Sequence, residues 1–260
     1  MYLRPIHTEL HLPTLYTFIR SNPLGVLTTA LKSPSHPLLQ SSHIPWVLDL
    51  PSSPELSTLE GGEVRLRGHI ARANPHAKAL IEAASANGVE VNKLQEEVMI
   101  LFTHSTHHYV TPKFYVETKP TTRKVVPTWN YAAVQAYGTA TIYYSSADPE
   151  AGAFLTKQVQ DLSRLAEEEV MGFDGKEGRE DPWSVDEAPK SYVELLKKGI
   201  IGVEITVTRL HGKWKMSQEL GAGDRDGTIK GFEDLGTPEG EKMAAIIRER
   251  AELKDSLKKV

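Results

Sequence analysis

The sequence of 260 residues contains no cysteine. This excludes a disulfide framework, a cysteine nucleophile and any zinc or iron–sulfur site ligated by cysteine. The chain also lacks an apolar run near the ~20 residues that a membrane-spanning helix needs. Its first residues, MYLRP, have neither the basic start nor the apolar stretch of a signal peptide. These absences predict a cytoplasmic protein.

A strong excess of basic residues is missing as well. The 30 Lys and Arg are balanced by 34 Asp and Glu, which gives a formal net charge of −4. Because surfaces that bind nucleic-acid backbones are strongly basic, this balance argues against direct nucleic-acid binding. The sequence also has no GxxxxGK[ST] phosphate loop, no GxGxxG after a strand and no GxSxG nucleophile elbow.

What is present is a pattern of alternating strands with a few helices. Alternation predicts strands over residues 25–30, 42–48, 63–73, 98–102, 132–144 and 201–210. Helical spacing and capping signals predict helices over 13–21 and 75–86, one after Asp148-Pro149, one ending at Gly199 and an amphipathic one at the C-terminus. Residues 221–240 hold six glycines and many charges, which predicts a mobile connection. Strands that outnumber short helices favour a mainly β fold with peripheral helices, arranged as a barrel.

The first candidate site is the stretch GHIARANP, residues 68–75. A strand delivers Arg72 to the start of a helix that Asn74 caps, and Lys78 follows one turn later. A helix N-terminus presents unpaired N–H groups, so this corner is a candidate phosphate site. An ordinary helix cap beside a solvated arginine explains the same residues.

Two aromatic stretches are candidates for holding a flat ring. PTWNY (127–131) places Trp129 at the entry of a strand, and GKWKMSQ (212–218) contains Trp214 and Gln218. Aromatic walls with nearby amide partners suit a heteroaromatic ligand, although aromatic residues at a strand entry more often belong to the core or to an interface.

Histidine supplies a third possibility. His104 and His108 would share a strand face and could bind a metal or haem, while His107 would point away. No acidic residue stands beside them to complete a three-ligand site, so we assign no metal ligand and keep a haem or metal binder as an alternative function.

At these same stretches the sequence resembles the PaiB family, described as FMN-binding split-barrel proteins and negative transcriptional regulators. The matching motifs include NPLG (22–25), HIP (43–45), GHIARANP, PTWNY and GKWKMSQ. The resemblance implies a six-stranded FMN-binding split β-barrel, related to pyridoxamine-phosphate oxidases, that works as a homodimer. It divides the chain into a split-barrel domain over 1–235 and a C-terminal helical extension over 236–260.

The resemblance also implies roles for single residues. The candidates for FMN binding are His43, Ile44, Pro45, His69, Ala71, Arg72, Asn74, Lys78, Trp129, Trp214 and Gln218. Of these, Arg72, Asn74 and Lys78 would hold the phosphate. The expected function is a flavin-dependent oxidoreductase acting on a small molecule; the alternative is an indirect transcriptional regulator that senses a ligand or partner. No catalytic residue is assigned, and His69 and Tyr109 are named only as candidate proton donors.

Overall fold

The structure, a computed structural model, describes residues 1–52, 59, 63–86 and 92–257. The strands in this part are β1 (Thr8–Glu9), β2 (Leu24–Ala30), β3 (Leu39–Pro45), β4 (Val47–Asp49), β5 (Arg65–Ala71), β6 (Val98–Thr103), β7 (His108–Val110), β8 (Thr128–Tyr143) and β9 (Ile200–Lys215). The helices are α1 (Leu12–Ser21), α2 (Pro75–Ala86), α3 (Thr118–Thr121), α4 (Pro149–Leu165), α5 (Lys190–Lys197), α6 (Ala222–Glu233) and α7 (Pro238–Leu257). The fold is mainly β with helices, as the sequence predicts.

All these strands belong to one sheet with the order β3-β2-β6-β8-β9-β5-β4, to which β1 adds on β9 and β7 adds on β8. The pairs of β2 with β3, β4 with β5 and β5 with β9 are antiparallel. The predicted count of six strands is not confirmed, because the described residues form nine. Six of these have six or more residues, and β1, β4 and β7 are only two or three residues long.

No helix in the described ranges is both long enough and apolar enough to cross a membrane.

Most of the predicted elements are confirmed. Helix α2 begins at Pro75 as predicted, since the Asn74 side chain accepts the backbone N–H of His76. The predicted strand over 42–48 is wrong in one respect: it is two strands that separate at Trp46, whose N–H donates to the Pro23 carbonyl. The predicted end signal of α2, Asn87-Gly88, lies outside the described residues.

The chain divides into two compact units. The first unit contains Met1–His11, Thr103–Val134 and His211–Val260, and the second contains Leu12–Phe102 and Gln135–Leu210. The predicted boundary after residue 235 stays a prediction.

In the first unit, residues 222–233 form helix α6, so the predicted mobile connection is wrong here. Gly223, Gly227 and Gly231 recur every fourth residue and therefore share one helix face. A Cβ on Gly227 would lie 2.4 Å from the Phe114 carbonyl oxygen, and one on Gly231 would lie 2.3 Å from the Phe114 ring. The glycines thus allow this face of α6 to pack closely against Phe114.

We expect Gly227→Ala to destabilise the protein and Gly152→Ala to stabilise it. The added methyl at Gly227 meets backbone, which we expect to cost about 1–3 kcal/mol. A Cβ on Gly152, in helix α4, would have no other atom within 4 Å, so better helix propensity stabilises by up to about 1 kcal/mol. Urea unfolding of both variants measures the two changes; a Gly227→Ala protein at least as stable as wild type contradicts the packing role.

The second unit contains a buried arginine. Arg67 on β5 is 4% exposed, and its guanidinium donates to Asp49 on β4 and to Asp161 on α4. A further N–H of Arg67 donates to Gln158 at 3.2 Å. Two carboxylates and an amide therefore balance the buried cation, and the cluster joins two strands to α4.

A buried histidine links α2 to the strands of the second unit. The two ring nitrogens of His76 lie 2.9 Å from the Thr29 and Ser42 hydroxyls. Burial lowers the pKa of His76 to about 4. The imidazole is therefore neutral near pH 7, with one nitrogen donating and the other accepting.

We expect His76 to make the folded protein less stable as the pH falls from about 6.5 to about 4. In that range His76 is protonated in the unfolded state, where its pKa is the ordinary one, but stays neutral in the folded state. The free energy of unfolding therefore falls by up to about 3 kcal/mol. The variant His76→Gln cannot show this loss. Urea unfolding at several pH values gives the stability difference between wild type and variant; a difference that stays constant from pH 7 to pH 4 contradicts the assignment.

Candidate functional site

The predicted flavin-binding residues fall into two groups. The second unit contains His43, Ile44, Pro45, His69, Ala71, Arg72, Asn74 and Lys78, and the first unit contains Trp129, Trp214 and Gln218. We describe each group within its own unit.

Arg72 follows the last residue of β5 and is held by main-chain carbonyls. Its Nη2 donates to Tyr144 at 2.7 Å and to Ile200 at 3.4 Å, and its Nε donates to Lys198 at 3.2 Å. Its backbone N–H donates to the Gly199 carbonyl at 2.9 Å. These bonds fix the guanidinium where β8 ends and β9 begins.

A cavity of about 120 Å³ opens beside Arg72. Its lining includes the hydroxyl-bearing residues Ser145 and Ser146, the first turn of α4 at Gly152, and Lys197. Lys197 donates to Thr156 and to Glu194, each at 2.7 Å. The Glu194 carboxylate also lines the cavity and is paired with Lys197. The arginine and the hydroxyls around the cavity are suited to an anion.

The other two phosphate candidates are arranged differently. Asn74 uses its side-chain oxygen to cap α2, where it accepts the His76 N–H at 2.9 Å. Lys78 is exposed on the same helix. In the described ranges no hydrogen bond or ion pair connects Lys78 to Arg72, and of the three phosphate candidates Arg72 is the one that lines the cavity.

The strand residues also differ from one another in burial. Ile44 is 1% exposed and packs over Gly68, where an added Cβ would lie 2.7 Å from its methyl group. His43 is exposed on β3, and Ala71 is exposed at the end of β5. Ile44 therefore belongs to the core, whereas the exposed His43 is accessible to a ligand.

His69 is half-buried on β5, and its Nδ1 is buried without a hydrogen-bond partner in the described residues. Burial lowers the pKa of His69. The imidazole is therefore neutral at pH 7, which disfavours a proton-donating imidazolium. A buried polar atom without a partner is uncommon in proteins and marks a place for an added hydrogen-bonding group.

In the first unit, Trp214 and Gln218 are buried by their own chain. The Gln218 side chain accepts the Met216 N–H at 2.6 Å and donates to the Trp214 carbonyl at 2.7 Å. The Arg250 guanidinium on α7 lies 4.2 Å from the centre of the Trp214 ring. Gln218 therefore stabilises a turn, and Trp214 is covered by the C-terminal helix.

Trp129 is the exposed member of this group. Its side chain is 49% exposed, and Tyr109, directly opposite on β7, is 43% exposed. The two ring centres are 6.2 Å apart in an edge-on arrangement, and the Trp129 indole donates to His107 at 3.3 Å. Together they form an exposed aromatic surface, which we call the aromatic wall (Trp129 and Tyr109).

Two lysines beside Trp214 were not singled out from the sequence. Lys213 and Lys215 are largely buried, although lysine normally extends into solvent. Burial lowers the pKa of Lys215, Glu219 opposes this, and repulsion from Lys213 and Arg4 adds to it. The alternation K-W-K on a strand was the signal, since it places both lysines on the face opposite Trp214.

The three neighbouring histidines have separate partners. His104 accepts a backbone N–H two residues on, His107 accepts from Trp129, and His108 lies 2.7 Å from the Tyr109 carbonyl oxygen through its Nδ1. Across residues 1–52, 59, 63–86 and 92–257, no three His, Cys, Asp or Glu side chains form a group that could hold a metal.

These residues fit the requirements of a flavin nucleotide. The cavity at Arg72 suits a phosphate, the unpartnered Nδ1 of His69 suits a polar ring edge, and the aromatic wall suits a planar ring. Each requirement is met by a separate local group of residues.

Sequence comparison finds relatives over nearly the whole chain. An uncharacterized protein of Aspergillus fumigatus is 58% identical over 262 residues, which cover 98% of this chain and 99% of the relative. The protease synthase and sporulation protein PAI 2 of Bacillus subtilis is 24% identical over 252 residues, which cover 96% of this chain and 98% of that protein.

Among solved structures, a conserved hypothetical protein of Mycobacterium tuberculosis is similar with a TM-score of 0.45 and 14% identity. The match covers 85% of this chain and 94% of that one.

A family model described as "Putative FMN-binding domain" matches residues 1–209, which is most of the chain. The motif GKWKMSQ and helices α6 and α7 lie beyond the matched residues. The chain therefore belongs to this FMN-binding family, and FMN is the cofactor that the family implies.

Proposed function

We propose that this protein is a split-barrel homodimer that binds FMN and acts as a flavin-dependent oxidoreductase on a small molecule. The observation that carries the proposal is Arg72, a cation fixed by three main-chain carbonyls at the edge of a cavity of about 120 Å³. Such an arrangement costs no side-chain ordering when an anion binds, because the arginine is already in place.

In this proposal the phosphate lies at the Arg72 cavity. Within the part of the chain that the structure describes, the Arg72 Nε and Nη2 donate to main-chain carbonyls and Nη1 does not. It is available to donate to a phosphate oxygen, with Ser145 and Ser146 as further donors. Asn74 acts indirectly by fixing the start of α2.

His43 and His69 are proposed to lie along the flavin, with Pro45 nearby on β3. The neutral His69 imidazole offers Nδ1 to a polar edge of the ring. The aromatic wall, which lies in the first unit, is proposed separately as a surface for a planar aromatic ring. Trp214 and Gln218 are proposed to support the strand and turn behind this surface rather than to touch the ring, since both are buried.

FMN supplies hydride or electron transfer when it is bound. The contribution of this chain is to orient the cofactor, to exclude water and to place hydrogen-bond donors. A neutral His69 cannot protonate a substrate as an imidazolium at pH 7, so we propose that its role is hydrogen bonding.

We expect the purified protein to bind FMN, with a flavin absorption band in the visible spectrum and FMN released on denaturation. Replacing the phosphate partner, Arg72→Gln, is expected to weaken FMN binding by about tenfold or more, because a charge-assisted hydrogen bond is lost. Binding of riboflavin, which has no phosphate, should be unchanged. Fluorescence titration with both flavins measures the effect.

The matched control is Arg65→Gln, an exposed arginine on the same strand that pairs with Glu204 at 3.4 Å. It should bind both flavins as wild type does. A colourless protein that binds neither flavin contradicts the proposed function. An Arg72→Gln variant that loses FMN and riboflavin affinity equally would show that Arg72 is structural.

The homodimer has support in exposed apolar surface. Tyr192, Leu195 and Leu196 on α5 share one helix face, and each is more than half exposed. A contiguous apolar face of this kind is typical of an interface. We expect light scattering to give a mass of about twice 28.9 kDa; a monomer that persists at high protein concentration contradicts the dimer.

For the regulatory alternative we propose an indirect route, through a bound small molecule or a protein partner. The net charge of −4 supports this, because direct binding to duplex DNA requires a basic surface.

A further inference from the structure

In the first unit, β8 and β9 have one face that their own chain covers. Asn130 donates to the Ser217 hydroxyl at 2.9 Å, and both are buried. Trp214 lies beneath the Arg250 guanidinium of α7. No open surface remains at Trp214, which is 7% exposed.

The opposite face carries the lysines and aromatic residues. Because successive side chains of a strand alternate, Trp129 and Tyr131 lie on the face opposite Asn130. The Lys213 Nζ is 5.4 Å from the centre of the Tyr131 ring, which places Lys213 on this face. Lys215, two residues on, shares it, and the Lys215 Nζ donates to the Trp129 carbonyl at 3.0 Å.

Positive charge on this face exceeds negative charge. Lys215 lies 3.8 Å from Glu219, but the other oxygen of that carboxylate is 3.0 Å from the His7 Nε2. Lys213 has no carboxylate partner in the part of the chain that the structure describes; it donates to the Tyr2 carbonyl at 2.9 Å. Arg4 is near enough for its repulsion to lower the Lys215 pKa.

An excess of positive charge is unfavourable where the charged side chains are largely buried. Lys213 is 8% exposed and the Lys215 side chain 19%, and cations in such positions are normally paired. The Arg67 cluster of the second unit shows the ordinary solution, in which carboxylates of the chain neutralise the charge. Among the described residues Lys215 has part of one carboxylate and Lys213 has none, so an external anion would complete the pairing.

We propose that Lys213 and Lys215 form an oxyanion site that holds the phosphate of an aromatic ligand, whose ring packs against the aromatic wall. This site is independent of the Arg72 cavity. A lysine ammonium carries three N–H donors. Lys213 uses one of them on the Tyr2 carbonyl, and Lys215 uses two, on the Thr128 hydroxyl and the Trp129 carbonyl. The phosphate belongs either to FMN, in which case the inference rests on the proposed binding of FMN but places its phosphate here instead of in the Arg72 cavity, or to a second aromatic phosphate.

The test uses the full chain and inorganic phosphate as the probe. At constant ionic strength, replacing chloride by phosphate should raise the thermal midpoint of wild type, because a ligand of the folded state stabilises it. Phosphate should also slow acetylation of Lys213 and Lys215 by limiting acetic anhydride, as mapped by mass spectrometry. In an Arg72→Gln background, which removes the other proposed phosphate site, the double variant Lys213→Met/Lys215→Met should lose the rise in midpoint.

The control is Lys230 on α6, which is 74% exposed and pairs with Asp234 at 3.0 Å. Its acetylation should not respond to phosphate, and Lys230→Met should keep the full rise in midpoint. The inference is overturned if Arg72→Gln responds equally to phosphate and chloride, or if the double lysine variant in that background keeps the response. Lys213→Arg/Lys215→Arg, which retains both charges, should restore it where the methionine variant folds poorly.

A second arm identifies the source of the phosphate by comparing FMN with riboflavin. Wild type should bind FMN about tenfold or more tightly than riboflavin if FMN supplies the phosphate. If Lys213→Met/Lys215→Met loses this preference for FMN and Arg72→Gln keeps it, the lysines hold the FMN phosphate. The reverse result assigns them to a separate aromatic phosphate. The experiment with inorganic phosphate needs no flavin, so it still tests the lysine site if the protein does not bind FMN.

Discussion

The alternation of side chains along β8 and β9 is the constraint on which the candidate sites depend. Each strand has sixteen residues, and each adds side chains to both faces of the sheet in turn. In the first unit this rule separates Trp214 from Lys213 and Lys215, although the three are adjacent in sequence. One face becomes core beneath α7, and the other keeps its cations and its exposed tryptophan. A shift of one residue in either strand would exchange these roles.

Two arginines of the second unit, Arg67 and Arg72, have different partners. Arg67 is neutralised by two carboxylates of its own unit, and Arg72 is held by main-chain carbonyls. The first arrangement is complete and joins β4, β5 and α4. The second leaves the charge of Arg72 without a counter-ion in the described residues, beside a cavity. An arginine that is paired with carboxylates of its own chain stabilises the fold, whereas one without such a counter-ion is suited to binding an anion.

Local signals predicted the elements well where one short stretch determines the outcome. Asn74-Pro75 and Asp148-Pro149 start α2 and α4 as expected, because a side-chain cap and a proline act within a single turn. The glycines of α6 misled the prediction, since glycine lowers helix propensity. The close approach of Phe114 lies more than a hundred residues away in sequence, and no local pattern reveals it.

The sequence by itself determined the family, the mainly β composition, the absence of cysteine chemistry and the motifs GHIARANP, PTWNY and GKWKMSQ. These properties follow from residue types and their spacing. Only the tertiary structure decided which residues of those motifs are available to a ligand. Ile44, Trp214 and Gln218 are buried by their own chain, whereas Trp129 stays exposed and His69 keeps a nitrogen without a partner in the described residues. The physical reason is that burial and pairing depend on residues distant in sequence, which a motif does not contain.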